Sequence, residues 1–240
     1  MKAAKYVVEA RGLQKTYPGG RKALRGLDFL LGKGERVALM GPNGAGKTTL
    51  VKIIAGLLMP DSGELRLFGA PFSHRAMKHF GFLFEEANNL YGYMTVWENM
   101  MFYGRLAGIA EGRLPSRADE LLQQFDLSSN KRQLAQSLSR GQKQKVALAS
   151  VLMQDAEVLI LDEPTLGMDL PSQQDLMQRI KGLETVLITT HDPVLAWEVA
   201  DRFVVINQGE LRGSYSRDDL ITMNVTDATA LRNWLLEVYE

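Results

Sequence analysis

Three stretches of the sequence hold residue types whose spacing could do phosphate chemistry. The first, Gly41-Pro42-Asn43-Gly44-Ala45-Gly46-Lys47-Thr48-Thr49, follows an apolar run at 37–40 and opens an amphipathic segment, the pattern of a phosphate-binding strand-loop-helix unit. Gly41, Gly44 and Gly46 let the backbone curl until successive N–H groups converge at a helix N-terminus, where the dipole is already positive. A polyphosphate fits such a nest. Lys47 would add a point charge at the β- and γ-phosphates, and the Thr48 hydroxyl is placed to ligate Mg²⁺. In the second stretch, Val158-Leu159-Ile160-Leu161-Asp162-Glu163-Pro164, a buried strand delivers two adjacent carboxylates at its C-terminal edge, where α/β sheets hold ligands. Alternation along a strand gives the two acids separate tasks. Asp162 suits the Mg²⁺ shell, while Glu163 would face the γ-phosphate and orient or deprotonate the attacking water. The competing account is an acidic pair at a solvent turn. The third stretch, Leu138-Ser139-Arg140-Gly141-Gln142, precedes a helical run to Met153 and presents a hydroxyl and free N–H groups at a helix start; an ordinary N-cap would look the same.

Positioning these groups takes a sheet buried on both faces. The fully apolar runs at 36–40, 158–161, 185–190 and 203–206 read as parallel core strands, because a strand covered on both sides loses alternation. Helical stretches between them imply right-handed crossovers. Residues 6–10 and 24–31 read as short strands joined at Pro18-Gly19-Gly20, and Leu65, Leu67 and Gly69 suggest another before Pro71, together an antiparallel layer beside the nucleotide. Between about 86 and 155 helical patterns take over, at 95–108, 116–125 and 141–153. From Asp227 an amphipathic helix gathers Leu231, Trp234, Leu235 and Val238 on one face, to dock on its own domain or on a partner. The expectation is one α/β domain over 1–240: residues 1–85 and 156–222 as nucleotide-binding core and β layer, 86–155 as a helical insertion, and 223–240 as a terminal helix.

Composition excludes several classes. The 28 Lys and Arg balance the 28 Asp and Glu, so no global positive field exists to hold nucleic acid. Without cysteine there is no disulfide, thiolate zinc site, iron–sulfur ligation or cysteine nucleophile. The start lacks a signal-like apolar core, and the longest apolar runs are broken by Lys52 or Asp162, well short of a membrane span. Any membrane role is expected to come through another subunit.

Taken together and in this order, the motifs resemble the nucleotide-binding subunit of ABC (ATP-binding cassette) transporters, a P-loop NTPase fold, over about residues 5–222. Residues 41–49 resemble Walker A, 138–142 the LSGGQ signature, 158–163 Walker B, 165–169 the D-loop and His191 the switch histidine. The resemblance implies ATP and Mg²⁺ as cofactors and head-to-tail pairing with a second cassette. Ser139, Gly141 and Gln142 of one chain would then close on the γ-phosphate held by the other. It implies that His191 bonds the γ-phosphate and keeps Glu163 and the water aligned. Tyr17 lies where the family stacks an aromatic on adenine; anchoring the Pro18 turn is the other reading. A transmembrane permease would be the further partner, with the chain peripheral on the cytoplasmic face of the membrane.

Two departures stand out. Glu85 replaces the family's Q-loop glutamine; a carboxylate can still ligate Mg²⁺, but it adds negative charge near the γ-phosphate. The D-loop reads Thr165-Leu166-Gly167-Met168-Asp169. With Leu90-Tyr91 and Met94-Thr95-Val96-Trp97-Glu98-Asn99, the variant Q-loop is similar to cassettes of ABC-2 type exporters. Residues 88–103 are rich in Tyr, Trp and Met, more apolar surface than one helix face buries, and are expected to dock the permease. Asn130-Lys131 is followed by Arg132-Gln133, not the Asn-Lys-x-Asp of a GTPase, and a small-molecule kinase has no use for residues 138–142. A non-transport ABC ATPase is the competing class.

Overall fold

The computed structural model describes residues 5–84, 90–166 and 168–239. In chain order the elements are β1 (Tyr6–Thr16), β2 (Lys22–Gly32), β3 (Arg36–Met40), α1 (Lys47–Ile54), β4 (Ser62–Leu67), β5 (Ala70–Pro71), β6 (Phe80–Leu83), α2 (Val96–Leu106), α3 (Leu114–Gln124), α4 (Arg140–Leu152), β7 (Val158–Asp162), α5 (Leu170–Lys181), β8 (Val186–Thr190), α6 (Pro193–Val199), β9 (Arg202–Asn207), β10 (Glu210–Ser216), α7 (Arg217–Thr222) and α8 (Ala228–Tyr239).

The absence of alternation in the core strands has a direct cause, since their two faces enter different apolar layers. In β3, Val37 and Leu39 face a layer shared with β1, β2 and α1, whereas Ala38 and Met40 face one shared with α6 and α8. In β7, Val158 and Ile160 join the first layer, and Leu159 and Leu161 pack with the helices of 96–152. The six-stranded sheet runs β10-β9-β3-β8-β7-β6, parallel from β9 to β6 with β10 antiparallel at the edge. A second, antiparallel sheet, β2-β1-β4-β5, lies beside it.

Two ion pairs fasten the sheet's entry end. Arg202 grips Glu35 with Nε at 2.6 Å and Nη2 at 3.0 Å and also reaches Leu30 O. Arg36 holds Asp201 through both Nε and Nη2 and donates to Lys181 O. Burial acts to raise both carboxyls, yet the bonds from Arg202 and the Gly32 N–H, and from the Arg36 side chain and N–H, hold Glu35 and Asp201 below their ordinary range.

The structure lengthens several expected elements and adds others, the strands β6 and β10 among them. The strands at 6–10 and 24–31 extend to 6–16 and 22–32, because β1 and β2 keep pairing past their apolar stretches through repeated register shifts. Polar side chains on the outer face had hidden the continuation. Neither β6 nor β10 had a sequence signal. The first is four residues with Gly81 inside it, and a Cβ there would lie 2.6 Å from Val151 Cγ1. The second is a polar edge strand, where packing imposes no pattern. α8 lies on its own chain: Leu231 and Leu235 are buried, Trp234 and Val238 pack against the same layer, and Asn207 Nδ2 donates to Tyr239 O at 2.9 Å.

Between the sheets' ends, α2, α3 and α4 pack around Val96, Met100, Leu114, Leu121 and Val146. α2 opens on a capping box in which Glu98 N donates to Thr95 Oγ1 and Glu98 Oε2 accepts from Thr95 N. Among the described residues no helix is long and apolar enough to cross a membrane.

Candidate functional site

The loop between β3 and α1 needs its glycines at particular points. Gly44 and Gly46 have φ of 81° and 112°, left-handed backbone that side-chain-bearing residues avoid. A Cβ on Gly41 would lie 2.3 Å from Ile206 O, and one on Gly46 2.6 Å from Ala23 O. Gly46 is also the N-cap of α1 and supplies no side-chain acceptor, which leaves the first N–H groups of the helix without an internal partner. Lys47 is buried, and its ammonium donates to Gly41 O at 2.7 Å and lies 3.7 Å from Glu163 Oε1. A cationic cradle results. It opens into a cavity of about 330 Å³ lined by Asn43 to Thr49 with Tyr17, Arg21 and Glu163.

Tyr17 Oη sits 3.3 Å from Thr49 Oγ1, and its ring is a wall of the cavity. The Arg21 guanidinium carbon lies 5.4 Å from the ring centroid, and the backbone bonds Tyr17 N–Arg21 O and Gly20 N–Tyr17 O close the Pro18 turn.

The two carboxylates at the end of β7 have different partners. Asp162 Oδ1 accepts from Thr48 Oγ1 at 3.4 Å and from Thr189 Oγ1, while Oδ2 is buried with no hydrogen-bond partner among the described residues. Burial pushes the Asp162 carboxyl up, with the hydroxyls of Thr189 and Thr48 pulling the other way and the Glu163 charge adding to the rise. Glu163 has left the strand, at φ 48°. Its N–H points at Thr189 O, 3.0 Å away, and its Oε1 lies 3.0 Å from His191 Nδ1. His191 is about half exposed. On its far side a second cavity, of about 550 Å³, runs past Thr165 and Asp192 to Thr229 and Arg232 of α8.

A divalent cation fits what is present. An orphaned carboxylate oxygen beside a threonine hydroxyl provides hard oxygen ligands, and among the described residues no cluster of three or more His, Asp or Glu could form a full cage. That sparse ligation suits Mg²⁺, which keeps waters and shares substrate phosphates. Thr48 and Asp162 would hold it. Glu85, the third expected ligand, lies outside the described residues, as does Gly167 of the D-loop.

The structure brings together Tyr17, residues 41–49, Asp162, Glu163 and His191. It does not bring in Ser139, Gly141 and Gln142, none of which lines the cradle's cavity. Ser139 caps α4 in a reciprocal box: Gln142 N donates to Ser139 Oγ at 3.3 Å, and Ser139 N donates to Gln142 Oε1 at 3.0 Å. Sequence reasoning missed Thr189, fully buried between the two acids. Its signal was present as the first of two threonines that end an otherwise apolar strand, two residues before His191.

A parallel sheet whose inner strand feeds a glycine loop and helix, with a buried acid on a strand two places along, defines a P-loop nucleotide hydrolase. The family model described as ABC transporter matches residues 24–166. The chain is 35% identical over 96% of its length to a protein of Streptomyces avermitilis described as an ABC transporter ATP-binding protein, of which it covers 88%. It is 38% identical over 89% of its length to the sulfate/thiosulfate import ATP-binding protein CysA of Methylococcus capsulatus, covering 64% of that protein. To the SkfA peptide export ATP-binding protein SkfE of Bacillus subtilis it is 35% identical over 85% of its length, covering 87%. Among solved structures, an ATP-binding subunit of an ABC transporter superposes with a TM-score of 0.85 at 26% identity, over 98% of this chain and all of that one. A cassette solved as a dimer in a post-hydrolysis state with ADP and Pi gives 0.76 at 27% identity, over 87% and 98%. The chain belongs to the ABC transporter ATP-binding family. It is an ATP-binding subunit and an ATPase.

Proposed function

We propose that this chain hydrolyses Mg²⁺-ATP at a site shared between two cassettes and thereby drives a transmembrane exporter from the cytoplasmic face of the membrane. The observation that carries the catalytic part is the Glu163 carboxylate, set 3.0 Å from His191 Nδ1 and 3.7 Å from Lys47 Nζ. In this reading the cradle N–H groups and Lys47 bind the β- and γ-phosphates, and Thr48 with Asp162 holds Mg²⁺. The ion supplies neutralisation of charge on the phosphate oxygens. Glu163 Oε1 accepts a proton from, or orients, the water aligned with the γ-phosphorus, and His191 fixes that carboxylate from its solvent side. Tyr17 stacks on the base. Ser139, Gly141 and Gln142 act on the ATP of the partner cassette, which explains their distance from the cradle of their own chain.

Glu163→Gln should keep ATP affinity and lower turnover by about 10² or more, the scale of losing a general base. Near-normal turnover would remove Glu163 from that role.

Docking of the permease falls to the segment before and within α2. Tyr93 is 88% and Tyr91 49% exposed, and the buried Asn99 holds their loop by accepting from Tyr91 N and donating to Tyr91 O and Thr95 O. A rigid loop presenting aromatic rings suits a protein partner. Export is favoured by the similarity to SkfE together with Glu85 and the residues at 90–99, while the similarity to CysA supports import. Tyr91→Ala with Tyr93→Ala should leave ATP binding and thermal stability intact and abolish co-purification of a membrane subunit. Retained co-purification would move the docking site elsewhere.

A further inference from the structure

Thr189 hydrogen-bonds both acids, through the Asp162 carboxylate and the Glu163 N–H, and it is fully buried. Its hydroxyl has one proton and two lone pairs. The proton goes to Asp162 Oδ1. A lone pair accepts the Glu163 N–H at 3.3 Å, sharing it with Thr189 O at 3.0 Å. Two consequences follow from this geometry. Fixing Oδ1 from the β8 side leaves Oδ2 as the unpartnered oxygen of Asp162. Holding the Glu163 N–H stabilises a left-handed backbone, φ 48°, which a glutamate adopts only when its surroundings impose it. β8 is paired through Asp162–Thr189 to β7, and His191 follows it directly, so one strand end sets all three groups.

We infer that the Thr189 hydroxyl is a positioning group that orients Asp162 for the divalent cation and, at the same time, aims Glu163 at the γ-phosphate. This rests on the ATPase site proposed above. Thr190, the neighbouring buried threonine, has a different task, since its Oγ1 accepts from Asp192 N at 3.0 Å at the start of α6.

The hydroxyl and the methyl of Thr189 can be separated by two substitutions. Thr189→Val keeps shape and loses the hydroxyl, whereas Thr189→Ser keeps the hydroxyl and loses a buried methyl. Positioning predicts that Val lowers kcat about tenfold or more and weakens Mn²⁺ affinity, measured by paramagnetic resonance with ADP present, by a similar factor, the scale of one hydrogen bond to a charged group. Metal-free ADP affinity should be unchanged in both variants. Ser should retain kcat and Mn²⁺ affinity within about twofold of the parent despite a lower melting temperature. A packing role predicts the reverse order, with Val near-normal and Ser impaired, and that result would overturn the inference. Equal loss in both variants would also overturn it. If the parent chain itself shows no metal-dependent nucleotide binding, the site reading fails instead, and the two failures are distinguishable.

Discussion

Two helices of this chain begin at phosphate-type motifs, and they are built in opposite ways. α1 begins at Gly46 with no side-chain cap, so its leading N–H groups have nothing of their own to bond and await an anion. α4 begins at Ser139 in a closed capping box, where the Ser139 hydroxyl and the Gln142 amide satisfy each other's backbone N–H groups. The first is an open site by construction; the second is self-satisfied until something competes for its groups. The difference teaches that the leading N–H groups of α1 are open to an anion on one chain, whereas those of α4 are already satisfied by a cap worth about 1 kcal/mol; in the proposed reading α4 would instead offer the Ser139 O–H, which the cap does not use, to the γ-phosphate of the other cassette.

The largest expected effect lies at the open end. Lys47→Ala removes the ammonium that donates to the loop carbonyls of Gly41 and Pro42, and ATP affinity by calorimetry should fall about a hundredfold. Tight binding in that variant would place the phosphates elsewhere. At the closed end, Ser139→Ala should lower stability by about 1 kcal/mol and also remove ATP-driven association, with ATP affinity of the single chain unchanged. Gln142→Ala removes only the acceptor of the Ser139 N–H and leaves the Ser139 hydroxyl in place on the backbone N–H of residue 142, so association should survive; if both variants behave alike, the cap itself and not the serine hydroxyl is what matters.

A smaller effect sets the site's acid against the structural ones. Asp162 has its carboxyl pushed up by burial, so its charge opposes folding at neutral pH, and stability from this group increases as pH falls through the raised value. Asp162→Asn should therefore raise the melting temperature of the metal-free protein at neutral pH. Asp201, held down by Arg36, and Glu35, held down by Arg202, contribute stability that is present above their ordinary values of 3.8 and 4.5 and is lost as pH falls through the lower folded values. Asp201→Asn should lower the melting temperature at neutral pH and reduce the acid sensitivity measured by urea midpoints. Shifts of the same sign in the two variants would contradict this division.

Much of the cradle was legible because glycine spacing encodes backbone geometry directly: Gly41, Gly44 and Gly46 stand where a Cβ or a negative φ would fail. The core strands were legible for a related reason, since burial on both faces leaves only apolar residues. β6 and β10 were not, one being too short and glycine-broken and the other a polar edge. Alternation along the strand gave Asp162 and Glu163 separate tasks, but β7 ends at Asp162 and the left-handed turn at Glu163 carried no signal, because it depends on a hydrogen bond from a strand distant in sequence. Thr189 carried a signal, a hydroxyl at the end of a buried apolar strand, but its partners lie on a strand distant in sequence. The cap at Ser139 was visible, and the phosphate role proposed for it would be a property of two chains that one sequence does not separate.

The central claim is that the open cradle and the capped helix complete each other only across two chains. Light scattering on Glu163→Gln tests it most directly, because in that variant hydrolysis should be blocked while binding persists. With ATP and Mg²⁺ the mass should double, and with ADP it should remain that of a single 26.8 kDa chain. The same mass with both nucleotides would contradict the claim.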